Sequence, residues 1–223
     1  MTGDLFADHA PPASPADPPR REAIGPGAMV LRGLALPEAL ALRAAVDRIA
    51  GQAPWRHMLT PGGRSMSVAV TNCGRLGWTS DRHGYRYSAI DPETGLPWPA
   101  MPELLSGLAT RAAAMAGFPG FAPDACLINR YVPGSRLSLH QDRDEQDLTA
   151  PIVSVSLGLP AVFQFGGQAR VDRPTRVPLQ HGDVVVWGGP DRLRFHGVMA
   201  LKPGVHPDIG ERRINLTLRK AGA

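Results

Sequence analysis

The chain has 223 residues, with 25 glycines and 23 prolines, 43% hydrophobic residues and a formal net charge of +4. That length suits one domain with a real core, and the Gly/Pro content predicts many turns and few long helices. No apolar run approaches the roughly 20 residues of a membrane span, and Met1–Ala10 lacks the apolar stretch of a secretory signal. The two cysteines, Cys73 and Cys126, form no CxxC pair and read as reduced core thiols. A soluble, cytoplasmic protein is expected. The charge permits a polyanionic partner without demanding one. Lys202 and Lys220 are the sole lysines, and such heavy arginine use carries little functional information by itself.

Residues 1–27 are rich in Pro and Ala with few large apolar side chains, and are expected to form a flexible tail. A single domain is expected over 28–223. Pro37 to Gly51 predicts a first helix, with Pro37 in the first turn, Leu42, Val46 and Ile49 at helical spacing and Gly51 as a stop. A second helix is predicted from about Pro102 to Ala116, with Leu104, Leu105, Leu108, Ala112 and Met115 along one face and Gly117 after it.

Beyond Gly120 the pattern changes to short β-rich runs at 126–131, 152–157, 161–165, 183–187, 195–198 and 214–218, separated by Gly/Pro turns. Short strands at this spacing, without helices between them, predict a β-sandwich or jelly roll over about 121–220. The expected architecture is mainly β with flanking α-helices, the two N-terminal helices packed on one side of the double sheet.

His140 and Asp142, in SLHQDRDE, stand two apart. On a strand such residues point to the same face; on a helix they diverge. A third metal ligand could come from His57, His83, His181, His196 or His206. His196 lies in a strand-like run, whereas His181 lies in a turn. Two histidines and one carboxylate hold one face of an octahedral Fe(II) and leave positions open for substrate and dioxygen. The same donors also build hydrolytic zinc sites, although no HExxH helix is present.

The last β run, Arg213-Ile-Asn-Leu-Thr-Leu-Arg219, alternates polar and apolar residues without a break. Arg213 and Arg219 end its polar face, about 20 Å apart along the strand. They could be solvated arginines on an edge strand. Leaning inward, they would seat a dicarboxylate with an anion at each end.

HxD, a distant His and RxNxTxR together resemble the AlkB family of Fe(II)/2-oxoglutarate dioxygenases. The stretches TPGGRSMSVAVTNCGRLGWTSDRHGYRYS, DACLINRYVPGSRLSLHQDRDE, PIVSVSLGLPAVFQFGG, HGDVVVWGG and RRINLTLR extend the resemblance over about Met29–Lys220. The resemblance implies a double-stranded β-helix with a substrate-binding lid at about 60–90. It implies Fe(II) on His140, Asp142 and His196, and 2-oxoglutarate on Asn129, Tyr131, Arg213, Asn215 and Arg219. Arg213 would lie near the distal carboxylate and Arg219 near the keto-acid end.

The implied reaction consumes O2 and 2-oxoglutarate, hydroxylates an N-methyl group and releases formaldehyde, succinate and CO2. The implied substrates are 1-methyladenine and 3-methylcytosine in alkylated DNA. Single strands should be preferred because extruding a base from a duplex costs a few kcal/mol, and the protein should act as a monomer. Double-stranded DNA, methylated RNA and a protein side chain are alternative substrates, and a non-catalytic binding barrel is the alternative class.

The resemblance also assigns substrate contacts to Trp78, Tyr85, Asp144 and Arg170, with Thr60, Met66 and Tyr87 as further candidates. Trp78 would stack on a cationic base opposite the His140 imidazole. Asp144 would add negative charge, while Glu145 and Asp147 read as solvated acids in a turn.

Overall fold

The computed structural model describes residues 19–222; residues 1–18 of the expected tail lie outside the described residues. In chain order the elements are β1 (Arg20–Gly25), β2 (Ala28–Arg32), α1 (Ala39–Gln52), β3 (Ala69–Gly74), β4 (Gly77–Asp81), β5 (Gly84–Ser88) and α2 (Glu103–Met115). Then follow β6 (Ala125–Tyr131), β7 (Leu137–His140), β8 (Ile152–Gly158), β9 (Ala161–Phe165), β10 (Thr175–Leu179), β11 (Val184–Trp187), β12 (His196–Val198) and β13 (Arg213–Arg219). A seven-stranded sheet, β1-β2-β11-β8-β13-β6-β3, faces a four-stranded sheet, β10-β9-β12-β7, while β4 and β5 form a separate hairpin. This is the expected jelly roll.

Period-2 alternation divides the core into two layers. Ile214, Leu216 and Leu218 of β13, with Val153, Val155 and Leu157 of β8, pack outward against Leu42, Val46 and Ile49 of α1 and Leu105, Leu108 and Ala112 of α2. The second layer lies between the sheets and includes Tyr131, Phe163, Phe165, Val185 and Trp187. Both helices therefore cover the outer face of the large sheet, as expected. On β6, β8 and β13 the inner face also carries buried polar residues, among them Asn129, Ser154, Ser156, Arg213, Asn215, Thr217 and Arg219.

One expectation is corrected. Residues 20–25, assigned to the tail, form a strand. Arg20 pairs with Arg32 and Glu22 with Val30 across β1 and β2, the Arg32 guanidinium donates to Glu22 at 2.9 Å, and the Gly27 N–H donates to Asp191 Oδ2 at 2.7 Å. An edge strand is held mainly through its backbone ladder, so the shortage of apolar side chains did not reveal it.

The short strands β1 to β5, β7 and β10 complete the sheets and the hairpin. Gly197 of β12 matters for the site, because a Cβ there would stand 2.7 Å from the Leu137 carbonyl oxygen. A side chain at this position would push β12 away from β7.

Candidate active site

That close approach sets the first two site residues face to face. His196 of β12 is the direct cross-strand partner of His140 at the end of β7, and their ring centroids are 4.4 Å apart. Asp142, two residues past His140, lies 3.5 Å from His140 Nε2 through Oδ1 and 3.7 Å from His196 Nε2 through Oδ2. One ligand atom from each of the three residues falls within 4.8 Å of the others.

The hydrogen bonds around the rings fix their tautomers. His140 Nδ1 donates to the Ser138 carbonyl at 2.9 Å and His196 Nδ1 to the Arg194 carbonyl at 3.0 Å. A carbonyl can only accept, so both Nδ1 atoms carry hydrogen and both Nε2 atoms, when neutral, present lone pairs toward Asp142. Trp187 packs edge-on against His196, with centroids 5.0 Å apart.

A second cluster, His181, His206 and Asp208, also meets the proximity requirement. There the polarity is reversed: His181 Nδ1 accepts the Gly158 N–H at 2.9 Å, and His206 Nδ1 accepts the Asp208 N–H at 3.2 Å. Those bonds leave the hydrogen on Nε2 of each neutral ring, which is the wrong tautomer for a metal there.

Electrostatics favour an ionised carboxylate in the first cluster. Burial alone would raise the Asp142 pKa, but the Arg219 charge, helped by His140 and His196 in their protonated forms, holds it well below the ordinary range. Arg219 Nε and Nη2 both donate to Asp142 Oδ2, at 2.9 and 2.6 Å. Burial pushes the His196 pKa down, with the neighbouring His140 adding to the effect. At His140 burial also opposes the charged form, but Asp142 outweighs it and the pKa is raised.

The polar face of β13 completes the constellation. β13 lies between β8 and β6 in the middle of the large sheet, and all seven of its residues are buried, so Arg213 and Arg219 are not solvated edge-strand arginines. Cross-strand register sets Arg213 opposite Tyr131 and Asn215 opposite Asn129. Asn215 Nδ2 donates to Ser154 Oγ at 2.8 Å and to the Val155 carbonyl at 3.0 Å, while its Oδ1 accepts from Thr217 and from Asn129 Nδ2 at 3.4 Å.

Arg213 is 1% exposed. Its Nη2 donates to Ser156 Oγ at 3.0 Å and its guanidinium carbon lies 5.1 Å from the Tyr131 ring centroid, yet Nε and Nη1 have no hydrogen-bond partner among the described residues. A buried donor left unpaired costs about 1–3 kcal/mol, more when charged. Two such donors on one buried cation fit an incoming carboxylate, and two Nε2 atoms converging on an ionised Asp142 fit a divalent metal.

The substrate candidates are arranged differently. Trp78 of β4 stacks on Tyr85 of β5, with centroids 5.5 Å apart and planes at 16°, and its Nε1 donates to Asp144 Oδ2 at 3.1 Å. Asn72 holds the Trp78 backbone through two 3.0 Å hydrogen bonds. The Arg170 guanidinium lies apart from this group, 5.9 Å from the Phe195 ring centroid.

Glu145 is not the solvated acid expected. It is buried and accepts from Tyr87 Oη at 2.7 Å and Arg192 Nη2 at 3.0 Å. Ser154, Ser156, Glu145 and Arg192 escaped the sequence reading. For the two serines a signal existed, since Ser154 and Ser156 alternate with Val153, Val155 and Leu157 along β8.

Comparison with known proteins agrees with this geometry. Residues 27–219 match the model of the 2OG-Fe(II) oxygenase superfamily. The chain is 57% identical to the proteins named alpha-ketoglutarate-dependent dioxygenase AlkB of Salmonella typhimurium (98% of this chain, 97% of that one) and Escherichia coli (98% of each). It is 34% identical to the tRNA demethylase abh1 of Schizosaccharomyces pombe over 44% of this chain and 36% of that one. Among solved structures, that of OsALKBH1 superposes with a TM-score of 0.80 at 27% identity, covering 90% of this chain and all of the other. The iron and 2-oxoglutarate expected from the sequence are thus the cofactor and cosubstrate of its relatives' chemistry, and the chain belongs to the 2OG-Fe(II) oxygenase superfamily and, within it, to the AlkB family of α-ketoglutarate-dependent dioxygenases.

Proposed function

We propose that this protein repairs alkylated DNA by oxidative demethylation of 1-methyladenine and 3-methylcytosine, acting as a cytoplasmic monomer that prefers single strands. The observation that carries the reading is the pairing of two Nε2-directed histidines and an ionised Asp142 with a buried guanidinium short of two acceptors. Bound Fe(II), with 2-oxoglutarate and O2, supplies the oxidation that turns an N-methyl group into a hydroxymethyl group, lost as formaldehyde as 2-oxoglutarate becomes succinate and CO2.

The chain's own residues bind and orient. His140, Asp142 and His196 hold the metal. Arg213 receives the distal carboxylate, with Ser156 and Tyr131 fixing its fork. Arg219 fixes Asp142, and its charge would favour the keto-acid end of bound 2-oxoglutarate. Asn129 and Asn215 line the floor between the two arginines.

One catalytic domain extends over the described residues, with its substrate lid at about 60–90 and its jelly-roll core at about 121–220. In that lid, Trp78 and Tyr85 offer an aromatic platform to the flipped base, and Asp144 both orients the indole and adds negative charge. Both lesions are cations at neutral pH, so a ring face and a carboxylate select them over neutral bases. Arg170, over the Phe195 ring, is the remaining proposed substrate contact.

The test is formaldehyde release from single-stranded oligonucleotides carrying 3-methylcytosine, with Fe(II), 2-oxoglutarate and ascorbate, against controls lacking each. Release that requires both iron and 2-oxoglutarate is expected; 2-oxoglutarate consumption without formaldehyde would sink the DNA reading and keep the dioxygenase. The name of the S. pombe relative favours one second reading, methylated RNA, and competition between RNA and DNA oligonucleotides of the same sequence decides between them.

A further inference from the structure

Glu145 stands three residues after Asp142, and its side chain is 2% exposed. Its two oxygens gather donors from three separate parts of the chain. Tyr87 on lid strand β5 donates to Oε1 at 2.7 Å, and Arg219 Nε on β13 lies 3.3 Å from the same oxygen. Arg192, in the loop before β12, donates Nη2 to Oε2 at 3.0 Å.

Both arginines also hold Asp142. Arg219 takes Oδ2 with two N–H groups, and Arg192 Nη1 donates to the Asp142 main-chain carbonyl at 2.6 Å. Two carboxylates and two guanidinium groups thus balance charge in one buried set, the arrangement in which removal of one member is most costly. Tyr87 gives the set a handle on the lid: the residue is the cross-strand partner of Trp78, and its hydroxyl donates to Glu145.

We propose that Glu145 is a positioning residue that couples the lid to the metal centre: the Tyr87 hydroxyl fixes Glu145, Glu145 fixes Arg219 and Arg192, and these hold the Asp142 carboxylate for the metal. The inference rests on the reading of His140, Asp142 and His196 as the metal ligands. Coupling of this kind is reciprocal, so metal binding must steady the lid as much as the docked lid strengthens metal binding.

Mn(II), a redox-inert probe, with 2-oxoglutarate present, tests both directions through metal affinity and amide exchange. Glu145→Gln, which keeps shape and removes charge, is expected to weaken Mn(II) about tenfold, the usual range for groups behind metal ligands. Tyr87→Phe, far less disruptive to folding, is expected to weaken it about fivefold. In the parent, Mn(II) should slow exchange of the Gly84–Ser88 amides, and in Tyr87→Phe that response should vanish.

The inference is overturned if Tyr87→Phe binds Mn(II) within about twofold of the parent, or if its lid amides still respond to the metal. His140→Ala separates the two layers of the reading. If it loses Mn(II) while Glu145→Gln and Tyr87→Phe behave like the parent, only the coupling falls. If it keeps parental affinity, the metal assignment falls and takes the coupling with it.

Discussion

Among the described residues two clusters each bring two histidines and an aspartate together, and their difference lies in a single proton on each ring. Around His140 and His196 the main chain offers carbonyls to Nδ1, which directs the Nε2 lone pairs inward. Around His181 and His206 it offers N–H groups to Nδ1, which commits those lone pairs to the backbone. The rings are equally close, with centroids 4.4 Å apart in one pair and 4.2 Å in the other. Proximity therefore does not separate the two clusters; the hydrogen bond on the far nitrogen does. The surroundings agree: Asp142 is buried against Arg219, whereas Asp208 is exposed.

Breaking each cluster in turn should produce the largest contrast. His140→Ala is expected to abolish turnover and metal binding, while His206→Ala keeps both; measurable loss of iron in His206→Ala would erase the distinction. Next in size is Arg213→Met. It should weaken 2-oxoglutarate about 100-fold, as expected for a buried charge-assisted pair. It should also raise the melting temperature of the protein free of cosubstrate, because a buried cation short of two acceptors gives way to an apolar side chain of similar length. A lower melting temperature would show that those two donors are satisfied in the folded protein without cosubstrate.

Trp78→Ala is expected to reduce the preference for a cationic lesion over its neutral counterpart by about 2 kcal/mol, roughly thirtyfold, measured as kcat/KM on the two substrates. Equal losses on both would reduce Trp78 to a lid-packing role.

The smallest effect sharpens the comparison from the other side. Burial and the facing His206 lower the pKa of His181, against the opposing charges of Asp208 and Asp183. The unfolded chain then takes up this proton first as pH falls below about 6.5, so stability associated with neutral His181 is present above that pH and lost below it. Denaturant midpoints between pH 7.5 and 5 should fall less in His181→Asn than in the parent. An identical pH dependence would show that His181 titrates normally.

Much of the site was legible in the sequence because strand alternation is a local code. The polar face of β13 and the HxD spacing specify which side chains share a surface before any partner strand is known. The facing of His196 and His140 depends on cross-strand register, which no local pattern carries. Glu145 was misread for a related reason: one acid in an acidic run looks solvated, and only the arrival of Tyr87, Arg192 and Arg219 from distant segments buries it. The two helices were legible from their apolar spacing, while β1 was hidden because backbone pairing with β2 holds it.

The most direct test of the account is anomalous scattering from a crystal of this protein grown with Mn(II) and 2-oxoglutarate. The account predicts one strong metal peak bonded to Nε2 of His140, Nε2 of His196 and the Asp142 carboxylate, with 2-oxoglutarate reaching the Nε and Nη1 side of Arg213. A metal at His181 and His206 instead, or Mn(II) held without one of the three named ligands, would contradict it.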